Sequence, residues 1–401
     1  MRGLFFCIPL VLLIETHLET IFEHMSNPWK ELERYGQSLW YDNLSRNFIT
    51  GGKIASMIDE LGLRGITSNP SIFEKSISAS DEYDDDIEQG IRDGRTTAQI
   101  YERLTTDDVR NAADVMRPVF DRTRGADGFV SIEVDAKLAT KTEETIEAAR
   151  RLWSIVDRPN VLIKIPGTPE GVPAIRQCLS EGININITLL FGIESYTQVA
   201  HAYVDALRER HQRGEDLSRL ASVASFFLSR VDTNVDKKLE GKIGAADGSA
   251  NAIRPLLGKA AIANAKLAYE RYLEIFHGPA FDDLRAAGAR TQRCLWASTS
   301  TKNPKFSDVM YIEPIIGPET VTTVPDETLE AFADHGTVAN TLTQGTAEAH
   351  DVIERLRKIG IDTEQVAVEL QVEGVKKFAD AFDSLAKNLE KKRHSIEEAI
   401  A

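Results

Sequence analysis

Asn160-Val-Leu-Ile-Lys-Ile-Pro-Gly-Thr168 is a short apolar strand with one lysine in its middle, followed at once by a Pro-Gly-Thr turn. Lys164 stands between Ile163 and Ile165, where burying an unpaired ammonium ion costs several kcal/mol. Such a group sheds its proton readily and becomes the neutral amine that attacks carbonyls to form a Schiff base. On this stretch alone a second reading stays open, in which the side chain carries its charge out to solvent at the strand end.

The chain around it has 401 residues, 42% hydrophobic and 27% charged, the balance of a soluble globular protein. Its formal net charge of -15 argues against nucleic-acid and anionic-membrane partners, which need a basic footprint. Three cysteines, Cys7, Cys178 and Cys294, lie far apart, which suggests neither a disulfide framework nor a thiolate zinc site and fits a reducing compartment. The eight histidines never form HxH or HExxH, so no metal is expected.

Leu4 to Ile14 is mostly apolar but too short to span a bilayer, and Pro9 interrupts it. Only Arg2 precedes it, and Glu15-Thr-His-Leu-Glu-Thr20 supplies no small-residue cleavage site. Residues 1–24 are therefore expected to be an extension outside the fold, with one domain over residues 25–401.

Strand-like runs follow at Gln37–Asp42, Arg64–Asn69, Gly128–Ala136, Asn160–Pro166, Ile183–Leu190, Leu220–Phe227 and Arg293–Ser298. An eighth is expected at Val309–Ile312 and its continuation through Ile316. Helical material separates most of them. One helix is expected over Ser45–Leu61, two between Asp81 and Arg122, and one opened by a capping box at Thr140 and Glu143. Others fall at 194–212, 233–241 and 251–275, and the chain beyond Asp326 reads as helix. Alternating strands and helices without a repeat or composition break predict an α/β fold, a single (β/α)8 TIM barrel with extra helices.

Side chains two apart share a strand face. Read so, the strands end on Asp42, Thr67 and Asn69, Glu133 and Asp135, Lys164, Asn186 and Thr188, Ser225, and Ser298. A barrel core favours Val, Ile and Leu, whereas catalytic side chains gather at its C-terminal mouth. One such polar residue is an ordinary buried hydrogen-bonding group; seven strands ending alike point to a site. An amine, two carboxylates on other strands, a hydroxyl and two amides are what carbonyl condensation through an imine requires.

These residues resemble the transaldolase family, in its longer bacterial subfamily within the class I Schiff-base aldolases. The matching segments are Trp40-Tyr-Asp42, Gly65-Ile-Thr67-Ser-Asn69-Pro-Ser71, Val130-Ser-Ile-Glu133-Val-Asp135, Ile163-Lys164-Ile-Pro-Gly-Thr168, Asn186-Ile-Thr188-Leu-Leu-Phe191, Ala224-Ser225-Phe-Phe-Leu-Ser-Arg230-Val-Asp232 and Leu295-Trp-Ala-Ser298-Thr299. They cover the chain from about Trp29 onward in family order. The resemblance implies that Lys164 forms the Schiff base with a ketose phosphate and that Asp42 takes the C4 hydroxyl proton as the C3–C4 bond breaks. It implies that Glu133 and Thr188 position a water, that Asn69, Asn186 and Ser225 bind the dihydroxyacetone moiety and Arg230 the phosphate, and that Thr67 and Ser298 are also substrate-binding. A dihydroxyacetone unit would pass between sedoheptulose 7-phosphate or fructose 6-phosphate and glyceraldehyde 3-phosphate or erythrose 4-phosphate, in the non-oxidative pentose phosphate pathway. The resemblance implies no metal or cofactor. A cytoplasmic location is expected, and homo-oligomerisation is left open.

The chain departs from the pattern after the seventh strand, where shorter members carry a second phosphate-binding arginine and Lys302 is the nearest cation here. Lysine binds phosphate as a point charge, without the guanidinium fork. Two alternatives remain: an aldolase that releases dihydroxyacetone to water, and a barrel that binds sugar phosphates without chemistry.

Overall fold

The computed structural model describes residues 27–245 and 250–400. The expected N-terminal extension lies outside the described residues. Eight parallel strands close into one barrel in chain order: β1 Gln37–Tyr41, β2 Gly65–Ile66, β3 Phe129–Glu133, β4 Val161–Pro166, β5 Ile185–Leu190, β6 Ser222–Phe227, β7 Arg293–Ala297 and β8 Thr320–Val324. β1 pairs with β8 from Gln37 and Thr320 to Tyr41 and Val324, so no strand edge is left open. The (β/α)8 architecture agrees with the expectation from sequence.

Differences from the expected elements have local causes. The eighth strand is Thr320-Val-Thr-Thr-Val324, whereas Val309–Ile316 forms turns and a 3₁₀ turn over Glu313–Ile315. Pro314 cannot donate to a ladder, while all five residues of β8 are β-branched and buried. The barrel absorbs two of their three hydroxyls: Thr320 donates to the Gly317 carbonyl at 2.6 Å, and Thr323 shares a 2.7 Å hydrogen bond with Thr67. The expected helix over Ser45–Leu61 is broken at Gly51-Gly52 into Arg46–Thr50 and Lys53–Leu61. The capping box at Thr140 and Glu143 does not form, because the helix starts at Thr142, whose hydroxyl donates to the Glu170 carbonyl. A reciprocal box does open the helix Thr97–Arg122, between Thr96 and Gln99.

β2 has only two residues, and Gly65 explains how it fits. A Cβ there would stand 2.4 Å from the Trp40 ring, so glycine lets that indole fill the barrel beside it. Trp40, Leu162, Ile187, Phe226 and Trp296 are fully buried within one continuous core.

Three helices follow β8: Asp326–His335, Thr346–Lys358 and Thr363–Ile400. The last runs for 38 residues and crosses the C-terminal mouth of the barrel. Its Glu364 carboxylate accepts from the Ile193 backbone N–H at 2.8 Å, and its Gln371 amide donates to the Gly167 carbonyl at 2.9 Å and the Leu189 carbonyl at 3.2 Å. Those carbonyls end β4 and β5, so the helix is tied to the rim of the barrel. No described helix is long and apolar enough to cross a membrane.

Candidate active site

The strand register brings the charged groups together. Glu133 on β3 pairs directly with Lys164 on β4, which pairs with Asn186 on β5. Lys164 is buried, its Nζ 3.2 Å from Glu133 Oε2, and it donates to the Ser68 carbonyl at 3.0 Å. The amine thus remains within the barrel rather than reaching bulk solvent.

Burial pushes the Glu133 carboxyl up to about 7, against the opposing pull of Lys164. Neither Glu133 oxygen makes a well-aligned hydrogen bond, and the buried Thr188 hydroxyl also lacks a partner among the described residues. Unsatisfied buried polar atoms of this kind are costly unless a ligand or water engages them.

Asp42 follows β1, its backbone N–H donating to the Val324 carbonyl at 2.9 Å. Its Oδ1 accepts from the Thr67 hydroxyl at 2.7 Å, which orients the carboxylate from the adjacent strand. Asn69 caps the helix Pro70–Ala79, its side-chain oxygen accepting from the Ile72 N–H at 3.1 Å. Asn186 donates to the Ser131 hydroxyl at 3.0 Å and accepts from the Ser225 hydroxyl at 2.7 Å. This chain of side chains locks the amide orientation beside the lysine.

A cavity of about 270 Å³ at the mouth is lined by Asp42, Thr67, Asn69, Lys164, Thr188 and Ser225, together with Arg230, Ser298 and Lys302. Glu133 and Asn186 flank Lys164 on the neighbouring strands, and Glu133 also lines a second cavity of about 620 Å³ beneath the long helix. Asp135, which shares a strand face with Glu133 in sequence, is not among the residues lining the mouth cavity. It borders that second cavity, and its carboxylate accepts from the Lys137 N–H at 2.9 Å.

Arg230 enters from the first turn of the helix Ser229–Ala245. Its guanidinium lies 5.3 Å from the Phe227 ring centroid, and burial draws its pKa below the ordinary value while Glu373, Asp42 and Glu133 oppose this. It does not pair with nearby Asp232, which accepts from the Ala261 N–H at 2.8 Å and the Tyr311 hydroxyl at 3.0 Å. Lys302 also lines this cavity and donates to the Ser300 hydroxyl two residues earlier in the same loop. Ser298 has φ 55° and shares a 2.8 Å hydrogen bond with Ser229. A non-glycine residue in that region is strained, and the strain is localised where the chain leaves β7 for the site.

Sequence reasoning missed Thr323 and Phe378, which also line the cavity. Thr323 was hidden by the misplaced eighth strand. Phe378 belongs to the long helix, and its spacing from Gln371 and Gly374 is the sequence signal that could have placed it on the inward face.

The arrangement offers one buried amine, two carboxylates in different surroundings and a cationic rim, enough for reversible imine formation with proton transfers at two positions. The transaldolase/fructose-6-phosphate aldolase family model matches residues 39–389. A transaldolase of Trichodesmium erythraeum is 48% identical over 372 residues, covering 92% of this chain and 98% of that protein. A transaldolase 2 of a Nostoc species is 49% identical over 367 residues, covering 90% and 96%. A transaldolase of Thiobacillus denitrificans is 48% identical over 359 residues, covering 90% and 98%. With the barrel, the buried lysine and these matches in agreement, the chain belongs to the transaldolase/fructose-6-phosphate aldolase family.

Proposed function

We propose that this protein is a transaldolase, moving a dihydroxyacetone unit from a ketose phosphate to an aldose phosphate through an imine on Lys164. The observation that carries the reading is the buried Lys164 amine 3.2 Å from the Glu133 carboxyl. The amine attacks the ketose C2 carbonyl, and the carbinolamine loses water to give the imine. Thr188, whose hydroxyl lacks a partner among the described residues, holds a water through which Glu133 moves protons, giving one to the leaving hydroxyl as the imine forms and taking one from water when the imine is hydrolysed. Asp42, oriented by Thr67, accepts the C4 hydroxyl proton as the C3–C4 bond breaks; the aldose phosphate departs and the enamine remains on Lys164.

An incoming aldehyde is attacked by the enamine carbon, and protonated Asp42 returns its proton to the new alkoxide. Asn69, Asn186 and Ser225 surround the three-carbon unit, while Arg230 and Lys302 bind the phosphate beyond it. Sedoheptulose 7-phosphate and fructose 6-phosphate are the donors, and glyceraldehyde 3-phosphate and erythrose 4-phosphate the acceptors. The two buried free thiols, Cys178 and Cys294, accord with a reducing cytoplasm.

Fructose 6-phosphate supplied with and without erythrose 4-phosphate tests the reaction type. Sedoheptulose 7-phosphate is expected only with the acceptor. Free dihydroxyacetone formed at the same rate in both cases would replace transfer with an aldolase activity.

A further inference from the structure

The connection from β7 to β8 carries Lys302 out of the barrel and back. At its root Thr299 donates to the Thr323 carbonyl at 2.9 Å, and further out the Thr301 hydroxyl donates to the Ser307 carbonyl at 2.8 Å, closing residues 302–306 into a lobe. The Met310 N–H donates to that Ser307 carbonyl at 3.2 Å, so the lobe passes directly into the turn that leads to Tyr311. Lys302 is exposed on this lobe, and its bond to Ser300 lies within the same loop, so that bond does not fix it against Arg230.

The lobe is fixed instead to the helix Ser229–Ala245, whose first turn supplies Arg230. The buried Tyr311 hydroxyl donates to Asp232 Oδ2 at 3.0 Å, while Asp232 Oδ1 accepts from the Ala261 N–H at 2.8 Å. Burial and the Asp232 carboxylate push the Tyr311 hydroxyl above its ordinary range, so it remains the donor. One turn along, Asp236 accepts from the Gly258 N–H at 2.9 Å, and the Phe306 ring lies against Gly258, where a Cβ would stand 2.8 Å from it. Asp232 and Asp236 share a face of the helix, whereas Arg230 projects from another toward the cavity. One helix thus presents a cation directly and grips, through Tyr311 and Phe306, the loop that presents a second.

We propose that Tyr311 is a positioning residue for phosphate recognition, its bond to Asp232 setting Lys302 at the separation from Arg230 at which both cations reach one phosphate. The proposal rests on the phosphate reading of Lys302. An ammonium on a flexible stem lacks the planar fork of guanidinium, so its contribution depends on the backbone that holds it. Ordering a loose lobe at the moment of binding costs conformational entropy, and a lobe fastened beforehand avoids that cost.

The test combines Tyr311→Phe with Lys302→Ala in the full chain and reads kcat and KM for fructose 6-phosphate and for fructose at saturating erythrose 4-phosphate. Alone, Tyr311→Phe is expected to raise KM for fructose 6-phosphate about threefold or more, without exceeding the effect of Lys302→Ala, and to leave kcat within about twofold. For fructose neither parameter moves. In the Lys302→Ala background the same substitution adds less than about 1.5-fold, because the group it positions is gone. A loss of packing alone gives the same factor in both backgrounds and on both sugars. That outcome overturns the proposal, as does an unmoved KM in Tyr311→Phe. Phe306→Ala, at a half-buried position on the same lobe, repeats the cycle if Tyr311→Phe does not fold, with the same expected pattern and the same overturning results. Lys302→Ala by itself separates the two levels. An unmoved KM there removes the phosphate reading and the proposal with it, whereas a raised KM with an inert or additive Tyr311→Phe overturns only the positioning role.

Discussion

Glu133 and Lys164 are direct neighbours across the β3–β4 ladder, and their side chains meet 3.2 Å apart inside the barrel. Burial favours the uncharged carboxyl, the lysine favours the charged one, and burial prevails to hold the proton up to about 7. The free-enzyme pH profile of kcat/KM is therefore expected to climb through a limb near 7 as Glu133 becomes a base. Glu133→Gln removes that limb and lowers kcat by about 10²- to 10⁴-fold. A profile of unchanged shape in this variant excludes Glu133 as the titrating base.

The same carboxyl costs stability as pH rises. Its folded pKa lies above the ordinary 4.5, so the unfolded chain releases this proton first and folding weakens between 4.5 and about 7. Above that window the penalty is constant and on the order of a few kcal/mol. Thermal melts of Glu133→Gln against the parent are expected to show the variant gaining relative stability from pH 4.5 to 7. A constant difference across the window refutes the linkage.

Lys164→Arg is expected to abolish turnover and borohydride-dependent adduct formation, since a guanidinium does not form the imine. Intact-mass measurement after reduction with fructose 6-phosphate reports both effects. Any covalent adduct at another lysine in this variant would contradict the assignment.

Asp42, joined to Thr67 at 2.7 Å, is expected to act in bond cleavage rather than imine formation. Asp42→Ala is expected to trap the uncleaved six-carbon ketose on Lys164, whereas the parent traps the three-carbon unit. Finding mainly the three-carbon adduct in the variant assigns the proton transfer to another group.

Arg230→Ala is expected to raise KM for fructose 6-phosphate by about 10- to 100-fold, the loss of one charge-assisted contact with phosphate, and to leave unphosphorylated fructose unaffected. Lys302→Ala moves KM the same way by less, because its ammonium is a point charge at a more open position. Equal effects on both sugars exclude a phosphate contact.

Much of this was visible in the chain because Lys164 interrupts an apolar run and because Asp42, Asn69, Glu133 and Thr188 occupy strand ends where aliphatic residues are the rule. β8 was not, since its threonines read as polar until Thr67 and Gly317 are seen to accept or share their hydrogen bonds. Asp135 obeys the alternation yet turns away, because Lys137 closes a tight turn on its carboxylate just after β3 ends. Phe378 escaped because helical spacing identifies an inward face without saying what lies beneath it. The tie from Gln371 to Gly167 and Leu189 is a long-range fact that only the folded chain supplies.

The helix over the mouth comes after all eight strands in chain order. During translation the cylinder therefore has every stave, including Thr320–Val324, before Gln371 and Phe378 leave the ribosome. Until then a nascent chain carries the Lys164 amine beneath an unroofed mouth, so the roof is the last part of the site to be made.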